Sequence, residues 1–246
     1  MTSGGILETV ARQARVATEA AHRPWPLPEQ PWLQAQTRHD VLLAHWPVAL
    51  DALARVLPPE LAVDAFDGRA WAGVAAYRVS GLRVRGLPPL PGLSSFPQLE
   101  VFACVTAGGR PGTWVFSLEL PKQVLVEAAQ RVHRLPAYRA RILAARGLVD
   151  AERDGLAFQA RYGVRGEAVA PVPGTLEHFL TERFALYTAD GGRIYRAETN
   201  HPPWLLQAAD ASVEAATLVP VQLEGPPLAL YAAEQDLVVW PLEELG

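Results

Sequence analysis

Between residues 61 and 120 the chain alternates short apolar runs with tight-turn signals, and this constrains the fold more than any other feature. LAVDAF and RAWAGVAAYRVS flank Asp67-Gly68, and LEVFACVTA and TWVFSLEL flank GGRPG. Asp-Gly and Gly-Gly connections match the right-handed twist of paired strands, so each segment predicts a hairpin. In TWVFSLEL, strict alternation places Trp114, Phe116, Leu118 and Leu120 on one face, with Val115, Ser117 and Glu119 on the other.

Further strand-like runs fall at 40–48, 138–146, 156–164, 183–188, 193–199 and 228–240, two of them joined by Asp190-Gly191-Gly192. Helical patterns are fewer. Residues 6–21 set Ile6, Val10 and Val16 among the i,i+4 pairs Glu8–Arg12 and Arg15–Glu19. ALDALARV is a short helix stopped by Pro58-Pro59, KQVLVEAAQRVHRL one with Pro121 in its first turn, and a third lies near 174–181. A parallel α/β fold needs long helices between successive strands, and the pattern has none. The expected class is therefore α+β and β-dominated, an antiparallel sheet closed as a barrel or sandwich.

The 246 residues, half of them hydrophobic and a fifth charged, fit one globular domain. An N-terminal helix and a Pro/Trp-rich arm (1–36, with Pro24, Pro26, Pro28, Pro31, Trp25 and Trp32) are expected to pack on a body spanning 37–246. Cys104 is the sole cysteine, which rules out an intrachain disulfide and favours a reducing, cytoplasmic compartment. There is no signal-peptide pattern and no stretch of ~18 apolar residues, so no membrane partner is expected. A net charge of −4 without basic clusters disfavours nucleic acid. Self-association stays open.

Familiar catalytic signatures are missing: no Walker loop, no dinucleotide-binding glycine fingerprint, no nucleophile elbow. His22, His39, His45, His133, His178 and His201 form no metal-binding spacing, so neither metal nor cofactor is expected. Cys104 reads as an inert buried thiol. Lys122 is the only lysine among 22 basic residues. A desolvated lysine can form a Schiff base, but this one falls in the first turn of an exposed helix.

FDGRAWAGVAAYRVSGLRVRGLPPLPG, GGRPGTWVFSLE, TLEHFLTERFALYT and HPPWLLQA, in this order, resemble the YqjF-like family of uncharacterised bacterial proteins within the acetoacetate-decarboxylase-like superfamily. The resemblance, running from about His39 to the C-terminus, implies a closed, cone-like antiparallel β-barrel with a few helices packed outside. It implies a container without an established reaction. The decarboxylase branch uses a Schiff-base lysine and a pocket glutamate. The similar stretch here, QRVHRLPAYRA, offers Arg131 and Pro136 in matching places but Ala137 and Tyr138 where the lysine would stand. Lys122 lies too early to inherit the role, so a Schiff-base decarboxylase is disfavoured. Relatives usually carry Asn-Val-Arg-Thr-Tyr-Val where this chain has Glu100-Val101-Phe102-Ala103-Cys104-Val105. An anion contact through that arginine would here be lost or replaced, and Glu100, Phe102 and Cys104 would share a face.

Two readings follow. In the first, the barrel binds or transforms a small organic acid or carbonyl compound, with Glu100 and Tyr138 as catalytic candidates. Arg131, Arg183, Glu119, Glu182 and His201 are then the ligand-binding candidates. An Arg–Glu bridge holding the barrel closed is the plainer role for some of these charges. In the second, the protein is a non-enzymatic structural or interaction module whose barrel is filled by its own side chains.

Overall fold

The computed structural model describes residues 3–245, with side chains from residue 8 onward, so the side chain of Ile6 in the expected helical pattern lies outside the described residues. The chain runs through α1 (Ser3–Val16), β1 (Gln34–Val48), α2 (Leu50–Val56), β2 (Ala62–Val63), β3 (Ala70–Val84), β4 (Phe96–Ala107), β5 (Arg110–Leu120) and α3 (Gln123–His133). It continues through β6 (Ala137–Arg139), β7 (Arg141–Ala145), β8 (Leu148–Arg153), β9 (Leu156–Val169), α4 (Leu176–Thr181), β10 (Ala185–Asp190), β11 (Arg193–Asn200), β12 (Leu206–Ala216) and β13 (Leu228–Glu244).

Seven strands close into a barrel in the order β1-β3-β4-β5-β10-β11-β13, and β13 returns to pair with β1. Every contact in this ring is antiparallel except the β5–β10 seam, which is parallel through Leu186 with Thr113 and Tyr187 with Trp114. The seam requires glycine at position 112, where a Cβ would stand 2.3 Å from the Ala185 carbonyl oxygen. The second edge of β13 is shared. Residues 229–231 pair with β12, and residues 238–244 with β11. From β12 the sheet continues through β9, β8 and β7 and folds over the outside of the barrel.

This wrap creates the principal core. Leu42, Ala44 and Trp46 of β1, Val74 and Ala76 of β3, and Leu99 and Val101 of β4 pack against Val149, Ala151, Phe158 and Ala160 of the outer sheet. A buried side chain of this size contributes about 1.5–3 kcal/mol, so the outer sheet is held by its apolar face. The opposite faces of the same barrel strands turn Leu43, Ala75, Phe102, Leu118 and Leu120 toward the lumen, where α3 adds Leu125, Val126 and Ala129.

Several expectations shift. The GGRPG hairpin turns on two residues, because Ala107 already pairs with Arg110 and both Gly108 (φ 56) and Gly109 (φ 72) are left-handed. Strict alternation in β5 fails at a β-bulge: Val101 faces Ser117 while Phe102 faces Val115, leaving Phe116 extra. Trp114 and Phe116 therefore face outward with Ser117 and Glu119, while Val115 joins Leu118 and Leu120 on the lumen side. The run at 138–146 breaks at Ala140 into β6 and β7.

The first helix stops at Val16, where the Thr18 hydroxyl and N–H both take the Arg15 carbonyl, each at 2.9 Å. Arg12 reaches Glu234 (2.6 Å) and Asp236 (2.5 Å) on β13, beyond the partner expected one turn away. Pro121 precedes α3, and Lys122 is its extended N-cap. In the arm, Trp25 meets Phe184 edge-on at 6.2 Å and donates to Glu198 at 2.7 Å. Trp32 lies under the Arg83 guanidinium at 4.8 Å. Among the described residues no helix is long and apolar enough to cross a membrane.

Candidate functional site

Two strands set the lumen's chemistry. Along β1, Gln34, Gln36 and Arg38 face inward at period two; a bulge between His39 and Leu42, with Asp40 at φ 50, then hands the inward face to Leu43 and His45. On β4, Gln98, Glu100 and Phe102 follow the same alternation. The lumen is not packed solid. A cavity of about 270 Å³ opens between α3 and the 82–96 segment, walled by Leu82, Leu87, Leu90, Leu93, Leu118 and Val132. Its floor is polar: Gln36, Arg38, Gln98 and Glu100. Beyond Arg38 and Glu100 lies a smaller recess of about 90 Å³ that also meets His45, Phe102, Arg183 and His201.

Glu100 is the acid of the floor. The Tyr77 hydroxyl donates to its Oε2 at 3.4 Å, and Gln98 Nε2 donates to the Tyr77 oxygen at 2.6 Å. Arg38 Nη2 stands 3.8 Å from the same Oε2, and its guanidinium lies over the Tyr77 ring at 4.4 Å. Burial raises the Glu100 carboxyl above its ordinary value, and Arg38 and Tyr77 offset only part of this. The arrangement therefore holds a carboxyl disposed to keep its proton, beside a cation and a phenol whose own ionisation burial pushes up.

In the recess, burial holds His45 neutral with its pKa down to about 3, and its ring stands edge-on to Phe102 at 5.6 Å. Arg183 Nη1 donates to Asp64 (2.9 Å) and to the Gly112 carbonyl (3.0 Å). His201 stacks on Phe184 at 4.7 Å and donates through Nδ1 to the Pro202 carbonyl at 2.9 Å. Burial lowers its pKa to about 4.

Of the sequence candidates, Glu100, Arg183 and His201 thus line the lumen, Glu100 between its two cavities and the other two in the recess. The others stand elsewhere. Glu119 is fully buried, but on the outer face of β5, where Arg153 grips it through Nε (3.0 Å) and Nη2 (3.3 Å). Tyr138 is 40% exposed, and its ring lies under the Arg153 guanidinium at 3.9 Å, outside the barrel. Arg131 projects from the exposed face of α3 and pairs with Glu127 one turn away at 3.4 Å. Glu182 caps α4 and accepts the Trp204 N–H at 3.2 Å, so it braces the HPPW segment, and burial raises its carboxyl. Cys104 shares the parity of Glu100 yet packs against Trp71 and Leu180, behind Arg183 and outside the lining of both cavities. Lys122 donates to the Gly92 carbonyl at 2.7 Å on the protein's exterior.

Arg38, Gln36, Gln98 and Tyr77 were not singled out by the sequence. The signal for Gln36 and Arg38 is the alternation of polar residues in QAQTR, but such a run reads as loop until its inward strand face is known.

A model of the family described as an uncharacterized conserved protein, DUF2071, matches residues 35–236. The uncharacterized protein YqjF of Bacillus subtilis (strain 168) is 33% identical over 229 residues, covering 89% of this chain and 95% of that protein. Among solved structures, the acetoacetate decarboxylase of Legionella pneumophila superposes with a TM-score of 0.62 at 11% identity, over 92% of this chain and 93% of the other. The enduracididine biosynthesis enzyme MppR complexed with pyruvate gives 0.61 at 14%, over 93% and 95%. At such identities the likeness speaks for the fold alone. The chain belongs to the DUF2071, YqjF-like family, and its barrel has the acetoacetate-decarboxylase-like fold.

Proposed function

We propose that the barrel binds a small organic acid or carbonyl compound with an apolar body, and that any reaction there runs by proton transfer without an imine. The observation carrying this reading is the division of one cavity into a leucine-rich wall and a floor where Gln36, Arg38, Gln98 and Glu100 converge. Ligand pockets are mostly apolar surfaces with a few placed polar groups. A guanidinium suits a carboxylate or a polarised carbonyl oxygen, and a carboxyl held toward its neutral form can deliver a proton.

An engineered cavity of about 150 Å³ takes benzene, so this one accommodates a body of roughly ten carbon-sized atoms. The fold neighbours support the same class: one was solved with pyruvate, the other is named for acetoacetate. Imine chemistry is set aside because Lys122, the chain's only lysine, is held at Gly92 outside the lumen. The open volume weighs against a barrel filled by its own side chains. A single buried cysteine fits a reducing cytoplasm.

The test is a series of straight-chain and 2-oxo acids of increasing length, titrated by calorimetry. Affinity is expected to rise with length and level off near about ten carbons, and to fall about tenfold in Arg38→Met. Uniform absence of binding, or an Arg38→Met protein that binds as well as the wild type, refutes the reading.

A further inference from the structure

Below the floor, the recess carries polar atoms that the outer cavity does not use. Buried donors in folded proteins almost always have partners, because an unpaired one forfeits its hydration without compensation. Here Arg183 Nε and Nη2 and both ring nitrogens of His45 are buried without one. Arg183 is only 6% exposed and His45 fully buried, and both line the recess. Geometry sharpens the point. Nη1 of Arg183 is occupied by Asp64 and Gly112, so the free nitrogens are the two on its opposite edge, whose N–H bonds run parallel. That edge is the fork that matches the two oxygens of a carboxylate.

We infer that this recess is a second binding site, separate from the outer cavity, which takes one small carboxylate-sized anion on the free edge of Arg183 beside His45. The volume of about 90 Å³ suits an ion of acetate size. Arg183 and Arg38 are the cations beside it, with Asp64 on the far side of Arg183 and Glu100 at the boundary. Burial raises the Glu100 carboxyl and keeps the His45 and His201 rings neutral. Leu180, Ala185, Leu186 and Trp204 around the rest of the wall keep the local dielectric low and strengthen the pairing.

The probe is acetate alone, titrated into the intact protein by calorimetry and by nitrogen NMR of the histidine rings. One acetate per chain is expected, with a shift of the His45 resonances. Arg183→Gln should weaken acetate about tenfold, the loss of a charge-assisted bidentate contact, while a ten-carbon acid changes less than about threefold. Should Arg183→Gln fail to fold, for want of its Asp64 contact, His45→Leu carries the test and should weaken acetate at least about threefold. No acetate bound at about 100 mM, or equal affinity in whichever of these variants folds, overturns the inference. If the long acid fails to bind the wild type while acetate behaves as stated, the function proposed for the outer cavity falls and this site stands.

Discussion

The Glu119–Arg153 pair bears on whether a buried carboxylate near the lumen belongs to the fold or to chemistry. Glu119 is fully buried, and the Arg153 side chain is 15% exposed. Two hydrogen bonds, 3.0 and 3.3 Å, join them, and the Tyr138 ring closes the other face of the guanidinium at 3.9 Å. Arg153→Met removes the cation and strands the carboxylate inside. Breaking a buried pair from one side costs about 3–5 kcal/mol, and the lost cation–π contact adds about 0.5–1 kcal/mol. For a chain of this size that lowers Tm by roughly 7–24 °C. Arg153→Met with Glu119→Leu removes both charges and should recover most of the loss, because the pair's own net worth is small. Urea unfolding of both singles and the double, followed by tryptophan fluorescence, closes the cycle. A single variant costing less than about 1 kcal/mol, or a double no more stable than Arg153→Met, refutes the assignment of Glu119 to the scaffold.

Other expectations can be checked alongside it. Burial depresses His45 to about 3 and His133 and His201 to about 4, so their contribution is present above the unfolded value near 6.5 and is lost as pH falls toward 4. Three protons taken up on unfolding give a slope of up to about 4 kcal/mol per pH unit, opposed in part by Glu100 and Glu182, whose raised carboxyls favour the folded state on the acid side. The urea midpoint should therefore drop steeply between pH 6.5 and 4.5; a flat or rising midpoint contradicts the burial of these rings. Gly112→Ala drives a methyl into the Ala185 carbonyl and should cost about 3 kcal/mol or more by chemical denaturation, and near-neutral behaviour would mean that the β5–β10 seam is not closed as described. Borohydride with a panel of keto acids should leave the protein's mass unchanged, whereas an adduct abolished by Lys122→Ala would restore imine chemistry.

The barrel could be read from sequence because its hairpins announce themselves through local turn chemistry. Two outer strands escaped notice for an equally local reason. In β12 the buried face is carried by Ala209 and Ala211 with Val213, too small to stand out as alternation, and β8 is half charged. Much of the site was hidden differently. Gln34, Gln36 and Arg38 are polar residues pointing into a lumen, the reverse of the pattern that marks a half-buried strand, so β1 seemed to begin at Asp40. Glu100 was legible because apolar neighbours framed it. Tyr138 and Arg131 were carried by a loose likeness across 130–140, where this chain spends those side chains on its exterior.

The bulges in β1 and β5 give this lumen an unusual grammar of change. Each one reverses which side chains face inward beyond it, so the strand on either side of the slip can be re-lettered without disturbing the other. Point substitutions alter one tooth of the lining at a time. Deleting Phe116 would instead remove the slip, letting β5 alternate regularly with Val115, Leu118 and Leu120 still facing inward. In a barrel built this way, the two slips are where a strand can gain or lose one residue while the same side chains stay on the lumen face.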